Sequence, residues 1–208
     1  MWWSHEPAPP YYSNLTTLDP ESSEAQVAAI GRLKSALGHP FSVKDGFCRL
    51  DLQALGFREL FGACWIWAEP ERIAALSHDR MPGGWRRIGD AAALEAWESA
   101  WAAGGSPAQM RVFPLAILDD PKIVVLGRAG KAGFDAGCIA NLSPDVVGLS
   151  NVFSTAEPAP AIFEDAACAV SAVAPDRPLV GYERAEALGA AVATGFQPVG
   201  DLRVWLLD

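Results

Sequence analysis

Residues 122–153 read KIVVLGRAGKAGFDAGCIANLSPDVVGLSNVF and determine the expected fold. Three apolar stretches, Lys122–Arg128, Phe134–Asn141 and Val146–Phe153, are separated by two short connections that contain glycine or proline. Short connections of this kind join antiparallel strands, whereas parallel strands need a long crossover. The segment therefore predicts a three-stranded antiparallel meander.

Helices and strands alternate after the meander. Apolar periodicity predicts helices over Ala161–Ala174 and Ala185–Thr194, a strand over Leu179–Glu183 between them, and a strand pair over Phe196–Leu206 that turns at Gly200-Asp201. A strand, a crossover helix and a second strand form a parallel pair, so the last strand of the meander and Leu179–Glu183 are expected to be parallel neighbours. The fold class expected is α/β, or α+β, with a mixed sheet.

The chain before the meander carries weaker patterns. Helical periodicity begins at Ser22 and is expected to stop at Gly38, and Gly46–Leu52 is typical of a short strand. Glu59–Ala68 alternates as a half-buried strand does, and Asp90–Ala103 predicts a helix with Asp90 as its N-cap.

The composition of the 208 residues limits the possible partners. Half of the residues are hydrophobic and one fifth are charged, which excludes intrinsic disorder. The 16 Lys and Arg against 25 Asp and Glu give a net charge of −9, which argues against nucleic acid or an anionic membrane as a partner. No apolar run approaches the length of a membrane span, and Met1–Pro7 does not resemble a signal peptide. We therefore expect a cytoplasmic protein, and the charge balance says little about small substrates.

The cysteines and histidines favour no metal site. The four cysteines are far apart in sequence, no CxxC pair occurs, and the three histidines lie near none of the cysteines. A zinc site needs closely spaced pairs of ligands. We expect four free thiols in a reducing compartment and no bound metal.

Several segments together resemble a known family. They are Ile123–Arg128, Phe134–Ile139, Val147–Phe153, and the helix Ala185–Ala193 with the sequence Gly195-Phe196-Gln197-Pro198-Val199-Gly200 that follows it. In order and spacing they resemble the strands and the C-terminal helix of the GNAT (N-acetyltransferase) superfamily. The resemblance implies a GNAT-like acyl-CoA N-acyltransferase fold over residues 59–208. Residues 1–58 would be an N-terminal extension made of an aromatic arm and a helix.

The resemblance also implies a binding strand for the acyl donor. In the family the fourth strand, here Val147–Phe153, holds acetyl-CoA, so the implied cofactor-binding residues are Ser150, Asn151, Val152 and Phe153. A bend in this strand would free backbone groups to pair with the extended pantetheine arm. The alternative is a half-buried strand with two polar positions that face water.

Two candidate catalytic residues lie at the C-terminal end of Leu179–Glu183, where the sheet of the family splays. Acyl transfer to an amine needs one group that takes a proton from the amine and another that protonates the leaving thiolate. Glu183 is the candidate base, acting directly or through water, and Tyr182 is the candidate acid. The alternative is that Tyr182 packs against the last helix and Glu183 is solvated.

The sequence departs from the family pattern at functional positions. The family carries R/Q-x-x-G-x-G/A after the fourth strand to bind the pyrophosphate, but this chain has Ser154-Thr155-Ala156-Glu157-Pro158-Ala159-Pro160. The prolines remove N–H donors and Glu157 adds a negative charge, so we expect weak binding of acetyl-CoA. Ala191 stands where many members have a proton-donating tyrosine, and Arg184 stands where an asparagine is common.

Three functions are compatible with these observations. The first is acetyl-CoA-dependent N-acetylation of a small amine, with acetyl-CoA as a substrate. The second is a GNAT-fold module that binds a ligand or a partner and has lost catalysis. The third is a structural homodimer, in which the aromatic arm Trp2–Tyr12 docks on a neighbouring subunit.

Overall fold

The structure is a computed structural model of the chain. It describes residues 1–5, 8, 12–37, 40–77, 83–104, 111–131, 133–157 and 159–208, with the backbone alone at 159 and 160. The helix stop predicted at Gly38 and part of the aromatic arm lie outside these residues. The described chain forms two compact units, one of residues 1–64 and 200–208, and one of residues 65–199. A domain boundary between residues 58 and 59 stays a prediction.

The elements are numbered in chain order. They are β1 (Trp2–Trp3), β2 (Leu15–Thr16), α1 (Ser23–Leu37), β3 (Phe41–Asp45), β4 (Arg58–Ala68), α2 (Pro70–Ser77), β5 (Trp85–Arg87), α3 (Ala91–Ala103), β6 (Ile123–Gly130), β7 (Gly133–Leu142), β8 (Val147–Ser154), α4 (Ala159–Ser171), β9 (Leu179–Glu183), α5 (Ala185–Thr194) and β10 (Gln197–Leu207), with 3-10 helices at Gln53–Leu55 and Leu115–Leu118.

The first unit is built around β3. This strand pairs in parallel with β2 and antiparallel with β10, and β2 pairs antiparallel with β1. Helix α1 contributes Ile30 to a core that also holds Phe41, Val43 and Trp205. Strands β4 and β10 each contribute residues to both units.

The second unit contains the predicted meander. Strands β5, β6, β7 and β8 pair antiparallel in that order, and β8 pairs in parallel with β9. Helix α4 connects β8 to β9, as the crossover pattern predicted. The expected mixed sheet and the α/β class are therefore confirmed.

Helices cover both faces of this sheet. Cys138 lies in a core with residues of α4 and α5, whereas its neighbour Ile139 lies in a second core with residues of α3. Successive residues of a strand point to opposite faces, so α3 and α4 are on opposite sides of β7. Helix α3 begins as predicted, because the Asp90 side chain accepts a hydrogen bond from the Ala93 N–H at 2.8 Å.

Two facing glycines make room for Trp97 of α3. Gly127 and Gly137 are paired across β6 and β7. A Cβ on Gly127 would lie 2.6 Å from the Phe134 ring and 3.0 Å from the Trp97 indole, and a Cβ on Gly137 would meet the same indole. The indole N–H donates to the Leu126 carbonyl oxygen at 2.8 Å. The buried indole can lie against the sheet because both positions lack side chains.

The prediction of a final strand pair is wrong. Residues 197–207 form the single strand β10, and Gly200 and Asp201 lie inside it. Neither residue has the positive φ that the favoured two-residue hairpin turns require. The chain therefore continues straight through the position where a turn was expected.

The strand predicted over Gly46–Leu52 is also wrong, because the strand lies just upstream as β3. The buried Asp45 carboxylate accepts hydrogen bonds from the N–H groups of Phe47 at 3.3 Å and Leu50 at 2.8 Å. Cys48 has φ = 51°, in the left-handed region. These local bonds turn the backbone away from an extended ladder.

Helix α2 was not predicted. Its proline is at the first helical position, where the missing N–H costs no helical hydrogen bond. Among the helices of the described residues, none is both long enough and apolar enough to cross a membrane.

Candidate functional site

Strand β8 contains a β-bulge in its second half. The pairing of β7 with β8 is Ile139↔Ser150 on one side of the irregularity and Gly137↔Phe153 on the other, so two residues of β8 oppose Cys138 alone. The first of these two, Asn151, has φ = 54°. Asparagine tolerates this left-handed backbone better than most residues do. The bulge redirects the backbone groups of β8 at this point.

The bulge also changes which side chains reach each core. Leu149 and Val152 contact the core on the α4 face, whereas Phe153 is buried on the α3 face, where its ring centroid lies 5.2 Å from that of Trp97. Phe153 can therefore offer a ligand only its backbone. Ser150, Asn151 and Val152 are half-buried.

A small polar cluster supports the bulge. The amide nitrogens of Asn141 and Asn151 donate to the Ser150 hydroxyl oxygen at 3.2 and 3.3 Å. Ser150 in turn donates to the Ile139 carbonyl oxygen at 3.5 Å. The sequence did not indicate Asn141, because its position opposite the beginning of β8 depends on the strand register. The cluster holds β8 in its bent course.

Strands β8 and β9 share a short ladder. The pairs are Val147↔Leu179 and Gly148↔Val180, and along the described length of both strands no ladder pair follows them. Gly181 still lies close to β8, since a Cβ on it would be 2.8 Å from the Leu149 carbonyl oxygen. The bulge at Asn151 thus follows the point where the ladder with β9 ends.

Glu183 and Tyr182 end β9. Glu183 is half-buried rather than fully solvated, and burial raises the pKa of its carboxyl group from 4.5 to about 7. The Tyr182 ring packs edge-to-face against Trp65, with a distance of 5.5 Å between ring centroids. A carboxyl group with this pKa is about half ionised at neutral pH, so it can both accept and release a proton.

The segment after β8 uses its own backbone N–H groups. The Ser154 hydroxyl oxygen accepts hydrogen bonds from the N–H of Ala156 at 3.1 Å and of Glu157 at 3.0 Å. The Thr155 N–H donates to the Asp135 carbonyl oxygen at 2.9 Å. These three donors precede α4, at the end of a helix that ordinarily attracts anions.

Carboxylates surround the guanidinium group of Arg128, which contacts this segment through Glu157. Arg128 of β6 forms ion pairs with Asp135 at 2.8 Å, Glu157 at 3.1 Å and Asp165 at 3.0 Å. Its side chain is only 12% exposed. Three carboxylates around one cation leave the cluster with an excess of negative charge, which disfavours a second anion.

The two halves of a coenzyme A thioester fit these residues differently. The bulged strand with its shortened ladder offers backbone groups to the amides of a pantetheine arm. The segment before α4 does not fit a diphosphate, because the N–H groups of residues 155–157 are already bonded and Glu157 and Asp165 already pair with the Arg128 guanidinium.

An open groove of about 470 Å³ lies on the α3 face. It is lined by Ala96, Ser99, Lys131, Phe134, Asp135 and Thr155, among others. Sequence patterns did not indicate it, because α3 and the β6–β7 turn meet only in the folded chain. Among the described residues, no group of three or more His, Cys, Asp and Glu side chains could hold a metal ion.

Comparisons by sequence gave no match, either to protein-family models or to curated proteins. Comparison with solved structures gave several matches. A functionally unknown conserved protein from Staphylococcus epidermidis ATCC 12228 superposes with a TM-score of 0.63 at 11% identity, over 92% of this chain and 81% of that one. A GCN5-related N-acetyltransferase from Kribbella flavida gives a TM-score of 0.55 at 13% identity, over 94% and 79%.

A further similar structure is Saccharomyces cerevisiae N-myristoyltransferase with bound myristoyl-CoA. It gives a TM-score of 0.58 at 8% identity, over 86% of this chain and 54% of that one. At such identities the likeness concerns the fold alone. The chain has the fold of the GCN5-related N-acetyltransferases, as the order of its strands and its C-terminal helix predicted.

Proposed function

We propose that the chain is an N-acyltransferase that moves an acyl group from a pantetheine thioester, such as acetyl-CoA, to a small amine. The observation that carries the proposal is the half-buried Glu183 at the end of β9, whose pKa is raised to about 7. Carboxylates with a raised pKa in partly buried positions are typical of general bases.

The donor would bind along β8. Backbone groups of Ser150–Phe153 would pair with the amides of the pantetheine arm, as a sheet edge pairs with an extended peptide. A bound thioester supplies an electrophilic carbonyl carbon and a thiol leaving group. The bulge at Asn151 supports this placement, because it turns backbone donors and acceptors out of the regular ladder.

Glu183 would accept a proton from the amine nitrogen. A base is most effective when its pKa lies near the working pH, because it is then substantially ionised and still basic. At its ordinary pKa of 4.5 the carboxylate would be ionised but a much weaker base. Burial of Glu183 at the end of β9 raises its pKa and so makes its carboxylate a stronger base.

Tyr182 would protonate the leaving thiolate from the face of β9 opposite to Glu183, because successive residues of a strand point to opposite faces. Its ring is held edge-to-face by Trp65, which limits the directions that its hydroxyl group can take. The helix position that carries a tyrosine in many GNAT members is the buried Ala191. Because that helix position cannot donate a proton, we assign the role to Tyr182, the tyrosine nearest in sequence to Glu183.

The test is the rate of acetyl transfer by the full chain. Acetyl-CoA and S-acetylpantetheine serve as donors, and a panel of small amines that includes benzylamine and aniline serves as acceptors. Glu183→Gln should lower kcat by about 100-fold or more, the usual contribution of a general base. The control Glu186→Gln removes an exposed carboxylate three residues away and should leave kcat unchanged. Equal rates in both variants would refute the proposed role of Glu183.

A binding module without chemistry is the second candidate. The bonded N–H groups and the Glu157 carboxylate just before α4 favour it, because they weaken the site for a nucleotide donor. It predicts that pantetheine binds while no donor and amine pair gives product. Transfer above the uncatalysed rate, abolished by Glu183→Gln, would exclude it.

Location and assembly complete the proposal. The free cysteines support a cytoplasmic location, and the net charge of −9 argues against nucleic acid or an anionic membrane as a partner. The exposed Trp2 and Trp3 support a homodimer formed through the arm. Sedimentation of the full chain should show a dimer that Trp2→Ser/Trp3→Ser dissociates, and a monomeric natural protein would refute this part.

A further inference from the structure

We propose that this chain selects its donor by the pantetheine arm alone and gains no affinity from the nucleotide diphosphate of coenzyme A. Its substrate class would then be acyl-pantetheine thioesters, with or without a nucleotide. The inference rests on the proposed function for the place of the donor, along β8. It departs from what the fold of the acyl-CoA enzymes would lead one to expect.

The backbone donors after β8 are the first support. The Ser154 hydroxyl oxygen accepts hydrogen bonds from the N–H groups of Ala156 and Glu157, and the Asp135 carbonyl oxygen accepts one from the N–H of Thr155. Pro158 and Pro160 have no N–H at all. Five of the six residues from 155 to 160 therefore cannot donate to a phosphate without breaking a bond already made.

The charges are the second, independent support. Glu157 lies in this segment and Asp165 lies in the second turn of α4, and both form ion pairs with Arg128. Arg128 is already paired with Asp135 as well. A phosphate that approached the guanidinium would have to displace a carboxylate or lie beside several of them, and either outcome offsets the attraction. The nucleotide half of a bound donor would remain in solvent.

The same geometry predicts which substitutions would make the chain bind coenzyme A more tightly than pantetheine. Glu157→Gln with Asp165→Asn removes two of the three carboxylates and leaves Arg128 paired with Asp135 alone. One face of the guanidinium then becomes available to an anion. The matched control is Glu71→Gln with Glu95→Gln, which changes the net charge equally at two exposed positions outside the cluster.

The test compares the affinities of coenzyme A and pantetheine. The full chain and both double variants are titrated with each thiol, up to about 10 mM, by ligand-observed NMR, with 3′,5′-ADP as a probe of the nucleotide half. In the natural protein and the control, we expect Kd values for the two thiols within about threefold and no binding of 3′,5′-ADP. In the Glu157→Gln/Asp165→Asn variant, coenzyme A should bind about five- to tenfold tighter than pantetheine.

Salt provides a second measurement. Exposed phosphates that contact no cation give an affinity for coenzyme A that does not fall between about 50 and 500 mM NaCl, whereas paired phosphates give a clear loss. We expect no loss in the natural protein and a loss in the Glu157→Gln/Asp165→Asn variant.

Binding and turnover separate this inference from the proposed function. Coenzyme A binding about tenfold tighter than pantetheine in the natural protein would overturn the inference, even with acyl transfer intact. Failure of both thiols to bind would overturn it as well. The opposite case, equal binding of both thiols without turnover at any amine, would leave the inference standing and refute the proposed activity.

Discussion

Ala185 follows Glu183 by two residues and has a left-handed backbone, with φ = 49°. It is the first residue of α5, and it is exposed. A residue with a Cβ, other than asparagine or aspartate, is strained in this region by roughly 1–2 kcal/mol. Strain of this kind is often kept at functional sites, and here it lies beside the candidate base.

Replacement of Ala185 by glycine should relieve this strain. We expect Ala185→Gly to raise the free energy of unfolding by about 1 kcal/mol, because glycine adopts positive φ without a clash. Ala187→Gly, two residues further along the same helix, should lower it by about 1 kcal/mol, as glycine does in a helix interior. Urea denaturation of both variants measures the two changes, and equal destabilisation would contradict the strained geometry.

The raised pKa of Glu183 predicts a pH dependence of stability. The folded carboxyl group titrates at about 7 and the unfolded one near 4.5, so the folded state binds more protons between these values. Stability should therefore fall as pH rises from 4.5 to 7, by roughly 2 kcal/mol after allowance for the partial exposure of Glu183.

Glu183→Gln removes this titration. The variant should be more stable than the natural protein at pH 8 by that amount, and equally stable at about pH 4. Unfolding by urea at each pH makes the comparison. A constant difference across the range would show that burial does not shift the pKa of Glu183.

Ser154 anchors the segment that precedes α4. Ser154→Ala removes the acceptor for two backbone N–H groups and should lower the free energy of unfolding by about 1–2 kcal/mol. Ser99→Ala is the control, since its exposed hydroxyl bonds only to the carbonyl of the preceding helical turn, and its effect should stay within about 0.5 kcal/mol. Equal effects in both variants would mean that the Ser154 bonds do not order this segment.

Gly137 should be among the least replaceable glycines of the second unit. An added Cβ would collide with the Trp97 indole and lie 2.5 Å from the Phe153 ring, so Gly137→Ala should cost about 3 kcal/mol or prevent folding. Gly189→Ala is the matched control in α5, where a Cβ meets nothing within 4 Å, and it should stabilise the chain by about 1 kcal/mol. Thermal denaturation distinguishes the two, and a harmless Gly137→Ala would contradict the packing of Trp97.

Sequence patterns predicted the second unit well, because its elements are marked locally. Leu179–Glu183 and Ala185–Thr194 lie where apolar spacing and Gly195 place them. The pattern failed at β10, where Gly200-Asp201 has the composition of a turn without its backbone geometry. It also failed at Asp45, whose side-chain bonds decide the course of the chain after β3.

The details of the candidate site depend on contacts between distant residues. Neither the ion pairs of Arg128 with Glu157 and Asp165 nor the burial of Glu183 can be inferred from spacing, because each requires the register of the strands and the position of a helix. The missing glycines after β8 were visible in the sequence. The sequence did not reveal that the Ser154 hydroxyl oxygen accepts hydrogen bonds from the N–H groups of Ala156 and Glu157.

The pH dependence of acyl transfer tests the role of Glu183 most directly. The measurement is kcat/KM for acetyl transfer to aniline, which stays largely unprotonated between about pH 5.5 and 8.5, so that acceptor protonation contributes little to the profile. We predict that kcat/KM rises about tenfold per pH unit below an apparent pKa near 7, levels off above it, and loses this inflection in Glu183→Gln. A flat profile in the natural protein, or the same inflection in Glu183→Gln, would contradict the assignment of Glu183 as the base.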